Sequence, residues 1–271
     1  MLEVFTKVSK CPTRTLTVFI LYAVLAILHA DVPADAAGLD EGWSLGGSSL
    51  REGEKATFTR EFYAGVTYVI AASGDKDARD VDLRILDRDG RVVTEDSSSS
   101  RDASVTFRPK NTGRYSIELH LAEASARALC YFIIETPGRG WNVPERDVET
   151  VLTRLGTAST LSDLTGFESL PARFFGFVMK RGEKQSMNMN GIREGDYMAI
   201  AVADDEADDL DLEVRQNGRV LKRDIETDAV PVCIFRANTG SVEMEVSYET
   251  GSGPALVLMA LYQKSLRSTR L

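Results

Sequence analysis

Hydrophobic and polar residues alternate with a period of two along most of the chain, and the alternating stretches occur as two sets. Val81, Leu83 and Ile85 share one face of a predicted strand while Asp80, Asp82 and Arg84 share the other. Leu210, Leu212 and Val214 stand in the same way against Asp209, Asp211 and Glu213. Ile117, Leu119 and Leu121 alternate with Glu118 and His120, as Val242, Met244 and Val246 do with Glu243, Glu245 and Ser247. Each such strand has one face in a core and the other in water. Thr67 to Ala72 and Tyr197 to Val202 are apolar on both faces, which predicts central strands covered on both sides. Long apolar strands, Leu129 to Ile134 and Leu256 to Tyr262, close the two sets.

The sets are copies of one another. Gly53 and Gly182, Tyr68 and Tyr197, Asp80 and Asp209, and Leu83 and Leu212 are each 129 positions apart. The offset then shortens, with Phe107-Arg108 matching Phe235-Arg236, because loops change length more freely than strands. Each copy carries an Asx-Gly hairpin signal, Asp89-Gly90 and Asn217-Gly218. Between the copies, Pro144, Glu145 and Asp147 suit a helix start. Val148, Val151, Leu152 and Leu155 make an apolar stripe that must be buried, and Gly156 is the expected stop. The Gly- and Ser-rich stretch from Gly38 to Ser49 carries no strand pattern, and Leu161 to Arg173 reads as a lead-in.

The expected fold is all-β: two tandem jelly-roll-like antiparallel β-sandwiches joined by a short helical linker. The boundaries are 1–36 for a targeting segment, 38–136 for the first sandwich, 137–159 for the linker, 160–264 for the second and 265–271 for a tail.

Composition narrows the setting. At 271 residues and 43% hydrophobic, the chain can bury two cores. Its net charge of −9 is unsuited to nucleic acid or an anionic membrane and suits cations or basic partners. Lys7, Lys10 and Arg14 precede an apolar run, Leu16 to Leu28, which Ala34-Asp35-Ala36 follows as a cleavage-site pattern. A secreted or periplasmic protein is expected, membrane-bound only if that segment stays uncleaved. Cys130 and Cys233 are then the mature cysteines, too few for a disulfide framework. Aligning Phe235 with Phe107 puts Cys233 at the inward position of Val105, so both are expected as buried free thiols.

Gly65-x-x-Tyr68, Asp80-x-Asp82-Leu83, Asp87-x-x-Gly90, and Phe107-x-Pro109 leading to Thr112-Gly113-x-Tyr115 make each unit resemble the bacterial pre-peptidase C-terminal domain. The second copy departs from the pattern, with Ala237 at the proline position and Val242 in place of Tyr115. The resemblance covers about residues 45–135 and 172–263. It implies a secreted β-sandwich accessory module that binds calcium or polymers in some members, and no attached catalytic domain is expected here.

Catalytic groups are scarce. His29 lies in the targeting segment and His120 on a wet strand face, so no nucleophile with an oriented base can be assembled, and no enzyme is expected. The candidate chemistry is calcium: Asp75, Asp77, Asp80 and Asp82 bring four carboxylates close together in sequence. Asp204, Glu206, Asp209 and Asp211 do so in the second copy, among Asp205 and Asp208. A solvated acidic loop with Arg79 or Arg84 as counter-charge is the other reading of the same residues. Trp43 and Trp141 could stack on sugars or pack loops. The second copy replaces the Ser97–Ser100 loop with Arg223-Asp224-Ile225-Glu226. The expected function is a binding or adhesion protein for an extracellular protein or polysaccharide, with a carbohydrate-binding or enzyme-accessory module as the alternative.

Overall fold

The computed structural model describes residues 44–136, 145–168 and 173–264. All lie in one compact unit, Val32–Leu271. The targeting segment, Trp43, Trp141 and the 265–271 tail fall outside the described residues. Among the described residues the chain is built from antiparallel strands and one helix, as the alternation predicts.

The first copy contains β1 (Leu45–Leu50), β2 (Lys55–Phe62), β3 (Tyr68–Gly74), β4 (Ala78–Leu86), β5 (Val92–Asp96), β6 (Asp102–Phe107), β7 (Gly113–Ala124) and β8 (Ala128–Glu135). Helix α1 (Glu145–Leu164) follows. The second copy contains β9 (Arg173–Met179), β10 (Lys184–Ile192), β11 (Gly195–Ala203), β12 (Ala207–Gln216), β13 (Arg219–Asp224), β14 (Val232–Ala237), β15 (Gly240–Gly251) and β16 (Ala255–Gln263).

Four strands from each copy join in a single eight-stranded sheet, ordered β14-β11-β16-β9-β1-β8-β3-β6. The order is a palindrome of equivalent strands about the antiparallel β1–β9 pair, in which Leu45 faces Gly176 and Gly47 faces Phe174. The remaining strands form two four-stranded sheets, β2-β7-β4-β5 and β10-β15-β12-β13. Both pack on the same face of the long sheet, around a core that includes Phe58, Leu83, Ile117, Phe132, Phe175, Leu212, Val246 and Met259.

The β1–β9 seam explains the composition of β1. A Cβ on Gly47 would lie 2.3 Å from the Phe174 ring and 2.6 Å from the Cys130 carbonyl oxygen, and one on Gly176 would lie 2.6 Å from Leu258. Glycine is required where these side chains cross the backbone. Phe58 then bridges the seam, with ring centroids 5.0 Å from Phe132 and 5.7 Å from Phe175, both edge-on. Burial of each ring contributes about 2–3 kcal/mol.

Helix α1 covers the opposite face of the long sheet over β11 and β16. Val151, Leu155 and Ala158 are buried against Met198, Ile200, Leu258 and Tyr262, with Val148 and Leu152 half-buried beside them, as the stripe predicts. Two expectations are corrected. The helix does not stop at Gly156 but runs to Leu164, since an exposed helical glycine costs only about 1 kcal/mol. The stretch before Ser49 is not wholly irregular: Leu45–Leu50 is a strand at the centre of the sheet.

Both Asx-Gly pairs make hairpins of different construction. Asn217 (φ 53°) and Gly218 (φ 74°) form the two-residue turn with both residues left-handed. In the first copy only Gly90 (φ 78°) is left-handed, and the Asp87 carboxylate supports a longer turn by accepting the N–H groups of Asp89 and Arg91, each at 2.9 Å.

Candidate functional site

The acidic residues that cluster in sequence fall into two groups in each copy, loop acids turned back to the backbone and strand acids that share an outer sheet face. Asp75 and Asp204 are the pivots of their loops. Asp75 Oδ1 accepts the Asp77 N–H at 3.0 Å and its Oδ2 accepts the Leu129 N–H at 2.9 Å, fixing the β3–β4 loop to the start of β8. Asp204 repeats this with the N–H groups of Glu206 at 3.1 Å and Leu256 at 2.7 Å. Burial pushes the Asp204 carboxyl above its ordinary value, against the lowering effect of those two hydrogen bonds.

Asp77 and Glu206 form a second tie. Asp77 accepts the Ser125 hydroxyl at 3.2 Å, and Glu206 accepts that of Ser252 at 2.5 Å. Each therefore ties its loop to the turn before the closing strand.

Asp80, Asp82, Asp209 and Asp211 lie instead on the outer faces of the short sheets. Asp82 is buried beneath His120, whose Nδ1 is 2.8 Å from Asp82 Oδ2 in directly opposed register. Arg84 spans Glu95 at 2.9 Å and Glu118 at 3.5 Å. Asp80 and Asp209 each bury one carboxylate oxygen without a hydrogen bond. Burial, then the like charges of Glu249 and Asp209, hold the Asp211 carboxyl above its ordinary value.

Calcium requires about six to eight oxygens aimed at one centre. These eight acids are divided between turn ties and sheet faces, so the donor set does not fit a shared calcium cradle. Among the described residues no group of three or more His, Cys, Asp or Glu side chains is placed to hold a metal. In the second copy the counter-charge comes from α1. Arg154 donates to the Ala203 carbonyl, to the Asp204 carbonyl at 2.7 Å and to the Asp205 carboxylate at 2.6 Å.

Cys130 and Cys233 are free and buried, and burial pushes both thiols up to about 12. Neither forms a nucleophile–base pair with the half-buried His120, whose carboxylate neighbour is Asp82.

A second pair of aspartates passed unnoticed in the sequence. Asp96 Oδ2 accepts the Ser104 N–H at 2.9 Å, and Asp224 Oδ2 accepts the Val232 N–H at 2.7 Å. Each caps the outward N–H at the start of an edge strand, β6 or β14. Burial works against ionisation of Asp96, but hydrogen bonds from Ser104 and Ser98 outweigh it and hold the carboxyl below its ordinary value. These bonds also reset the loop alignment: Asp224 is the counterpart of Asp96, so Ile225, not Arg223, stands where the first copy has Ser97.

In that register the copies share their supports and differ in what they expose. Ser97, Asp102, Ser104 and Thr106 of the first copy become Ile225, Val230, Val232 and Ile234 of the second. Pro231, Cys233 and Phe235 alternate toward the interior, while Val230 and Ile234 are exposed on the other face and Val232 lies half-buried between them against the core beneath α1. Ile225 is 70% exposed, Val230 41% and Ile234 52%. The signal was present in the sequence as polar-to-apolar changes: the match of Phe107 with Phe235 already sets the register of Val230, Val232 and Ile234, and the matched aspartate bonds extend it back to Ile225.

No family model matches the chain, and no curated protein matches it. Solved structures resemble it at low similarity. The M60 catalytic domain with CBM51-1 and CBM51-2 domains of Clostridium perfringens ZmpB is 10% identical at a TM-score of 0.27, covering 80% of this chain and 34% of its own. PliG of Aeromonas hydrophila, a periplasmic inhibitor of g-type lysozyme, is 8% identical at 0.26, covering 35% and 90%. A Paenibacillus xanthan lyase is 14% identical at 0.29, covering 87% and 24%. The chain thus spans about a third of the first and about a quarter of the last. No described helix is long and apolar enough to cross a membrane.

Proposed function

We propose that the chain is a secreted, non-catalytic binding protein of two jelly-roll-like modules, and that it engages a protein partner through the β13–β14 side of its second copy. The observation that carries this reading is the change of Ser97, Asp102, Ser104 and Thr106 to Ile225, Val230, Val232 and Ile234. Val232 is half-buried against the core beneath α1, but Ile225, Val230 and Ile234 are held in water at a cost in stability, whereas a partner would bury them. Secretion rests on the targeting segment, and the module class on the resemblance to the pre-peptidase C-terminal domain. A role for calcium has no support in the placement of the acids.

The test sets a displayed peptide library beside a glycan array, each probed with the mature chain. Peptide ligands are expected, with binding reduced by Ile225→Lys. Glycan binding alone, lost on substitution of Trp43 or Trp141, would establish the carbohydrate reading instead.

A further inference from the structure

β14 ends the long sheet, with β11 on one side and no strand on the other. Its pairing register fixes which backbone groups face outward. Ala201 donates to Pro231 across the β11–β14 pair, and Met198 and Ile200 stand opposite Ile234 and Val232. Cys233 and Phe235 therefore turn their backbone groups toward β11, while Val232, Ile234 and Arg236 turn theirs to the open edge. The Asp224 cap occupies the Val232 N–H. The N–H and C=O groups of Ile234 and the N–H of Arg236 remain as a ladder, beside the side chains of Val230, Val232 and Ile234.

Charge around this edge is uneven. At its start Glu226 and Asp228 are exposed and form no ion pair with a described residue. At its end Arg236 is balanced by Glu194 at 3.0 Å and Asp196 at 3.6 Å. We propose that β14 accepts an extended segment of another protein as an added strand, with apolar side chains at alternate positions against Val230, Val232 and Ile234 and lysine or arginine passing Glu226 and Asp228. Backbone pairing supplies the geometry and the uncompensated acids select basic partners. A second copy fits less well, because antiparallel pairing of two β14 strands would place each acidic loop beside an already neutralised end, between chains of charge −9. The first-copy edge lacks the apolar stripe: β6 presents Asp102, Ser104 and Thr106, with Asp102 accepting the Ser73 hydroxyl at 2.5 Å. This inference rests on the reading of the chain as a protein-binding module.

The test uses the mature chain and a synthetic peptide of about nine residues, long enough to span an ordinary strand, in which valine alternates with lysine. Hydrogen exchange at the Ile234 and Arg236 amides is expected to slow about tenfold at saturation, as for newly paired strand amides. The peptide with glutamate for lysine is expected to bind about tenfold more weakly. Ile234→Lys is expected to abolish binding, and Thr106→Lys on the other edge to leave it unchanged. Should Ile234→Lys fail to fold, the triple change Val230→Asp, Val232→Ser and Ile234→Thr, which installs the first copy's own residues, makes the same test. Protection elsewhere with Ile234 and Arg236 unaffected, or binding indifferent to Ile234→Lys, overturns strand addition while leaving protein binding in place. Self-association of the chain that Ile234→Lys removes overturns it in favour of a second copy. Absence of binding by this peptide and by every library peptide overturns both readings.

Discussion

The Asp204 carboxylate accepts the Leu256 N–H at 2.7 Å, and the Asp204 N–H donates in return to the Leu256 carbonyl at 3.1 Å. Asp75 and Leu129 repeat the exchange in the first copy, with both distances 2.9 Å. A residue that resembles an ion ligand in sequence is thus the clasp between an acidic loop and a closing strand. Asp204→Ala leaves a buried N–H without an acceptor and is expected to cost about 2 kcal/mol, read from urea unfolding. The half-buried Asp75→Ala is expected to cost less. Equal, negligible effects would remove the clasp from the account.

The clasp and the edge cap titrate with opposite sign. Asp204 is held above the ordinary 3.8, so the native state retains its proton longer than the unfolded chain. Its contribution is most favourable below that value and declines as pH rises through the native value. Asp96 is held below 3.8, so its contribution is present above 3.8 and is lost as pH falls through the native value. Relative to wild type, Asp204→Asn should therefore gain stability with rising pH across its window. Asp96→Asn should lose it across the lower one. Parallel pH profiles for the two variants would contradict these environments.

The calcium question has a direct answer in melting curves. Turn ties and Arg154 already engage the acidic loops, so curves recorded in calcium and in chelator are expected to superimpose. Arg154→Ala, which removes the hydrogen bonds to the Asp204 carbonyl and the Asp205 carboxylate and leaves only Arg146 beside the loop, is expected to lower stability by about 1–2 kcal/mol. An upward shift of the midpoint with calcium would show that the acids converge on an ion after all.

Sequence periodicity revealed β3, β4, β7 and β8 with their counterparts β11, β12, β15 and β16, the inward cysteines and the buried stripe of α1, because each depends on local alternation of apolar and polar residues. It did not reveal β1, whose Gly46-Gly47-Ser48-Ser49 has little strand propensity and is chosen by what crosses it, Phe132 and Phe174. The continuous sheet was hidden for the same reason, since the β1–β9 register is a long-range pairing. The acids misled because nearness along the chain does not make a shared centre: Asp80 and Asp82, like Asp209 and Asp211, share an outer sheet face, whereas Asx turns direct the loop carboxylates back to the backbone.

The seam offers a further prediction. Gly47→Ala would place a methyl group 2.6 Å from a backbone carbonyl, which no rotamer change relieves, and is expected to destabilise by about 2 kcal/mol. Gly113→Ala, with open space around its Cβ position, is expected to be nearly silent. Urea midpoints compare the two, and a silent Gly47→Ala would mean that β1 is not seated against the Cys130 carbonyl of β8 and the Phe174 ring of β9 as described.

Native thiols should be inert. With Cys130 and Cys233 buried and pushed up to about 12, an aromatic disulfide reagent is expected to label neither until denaturant is added. Rapid native labelling of either would place it outside the core.

The most direct test of the central claim, that the second copy's edge is the binding surface, converts that edge to the first copy's residues. The variant carries Ile225→Ser, Val230→Asp, Val232→Ser and Ile234→Thr, and its binding to the alternating valine–lysine peptide is measured beside wild type. Peptide binding lost in a variant that still unfolds cooperatively, with the midpoint lowered only by the half-buried Val232→Ser, is predicted; binding retained at wild-type strength would contradict it.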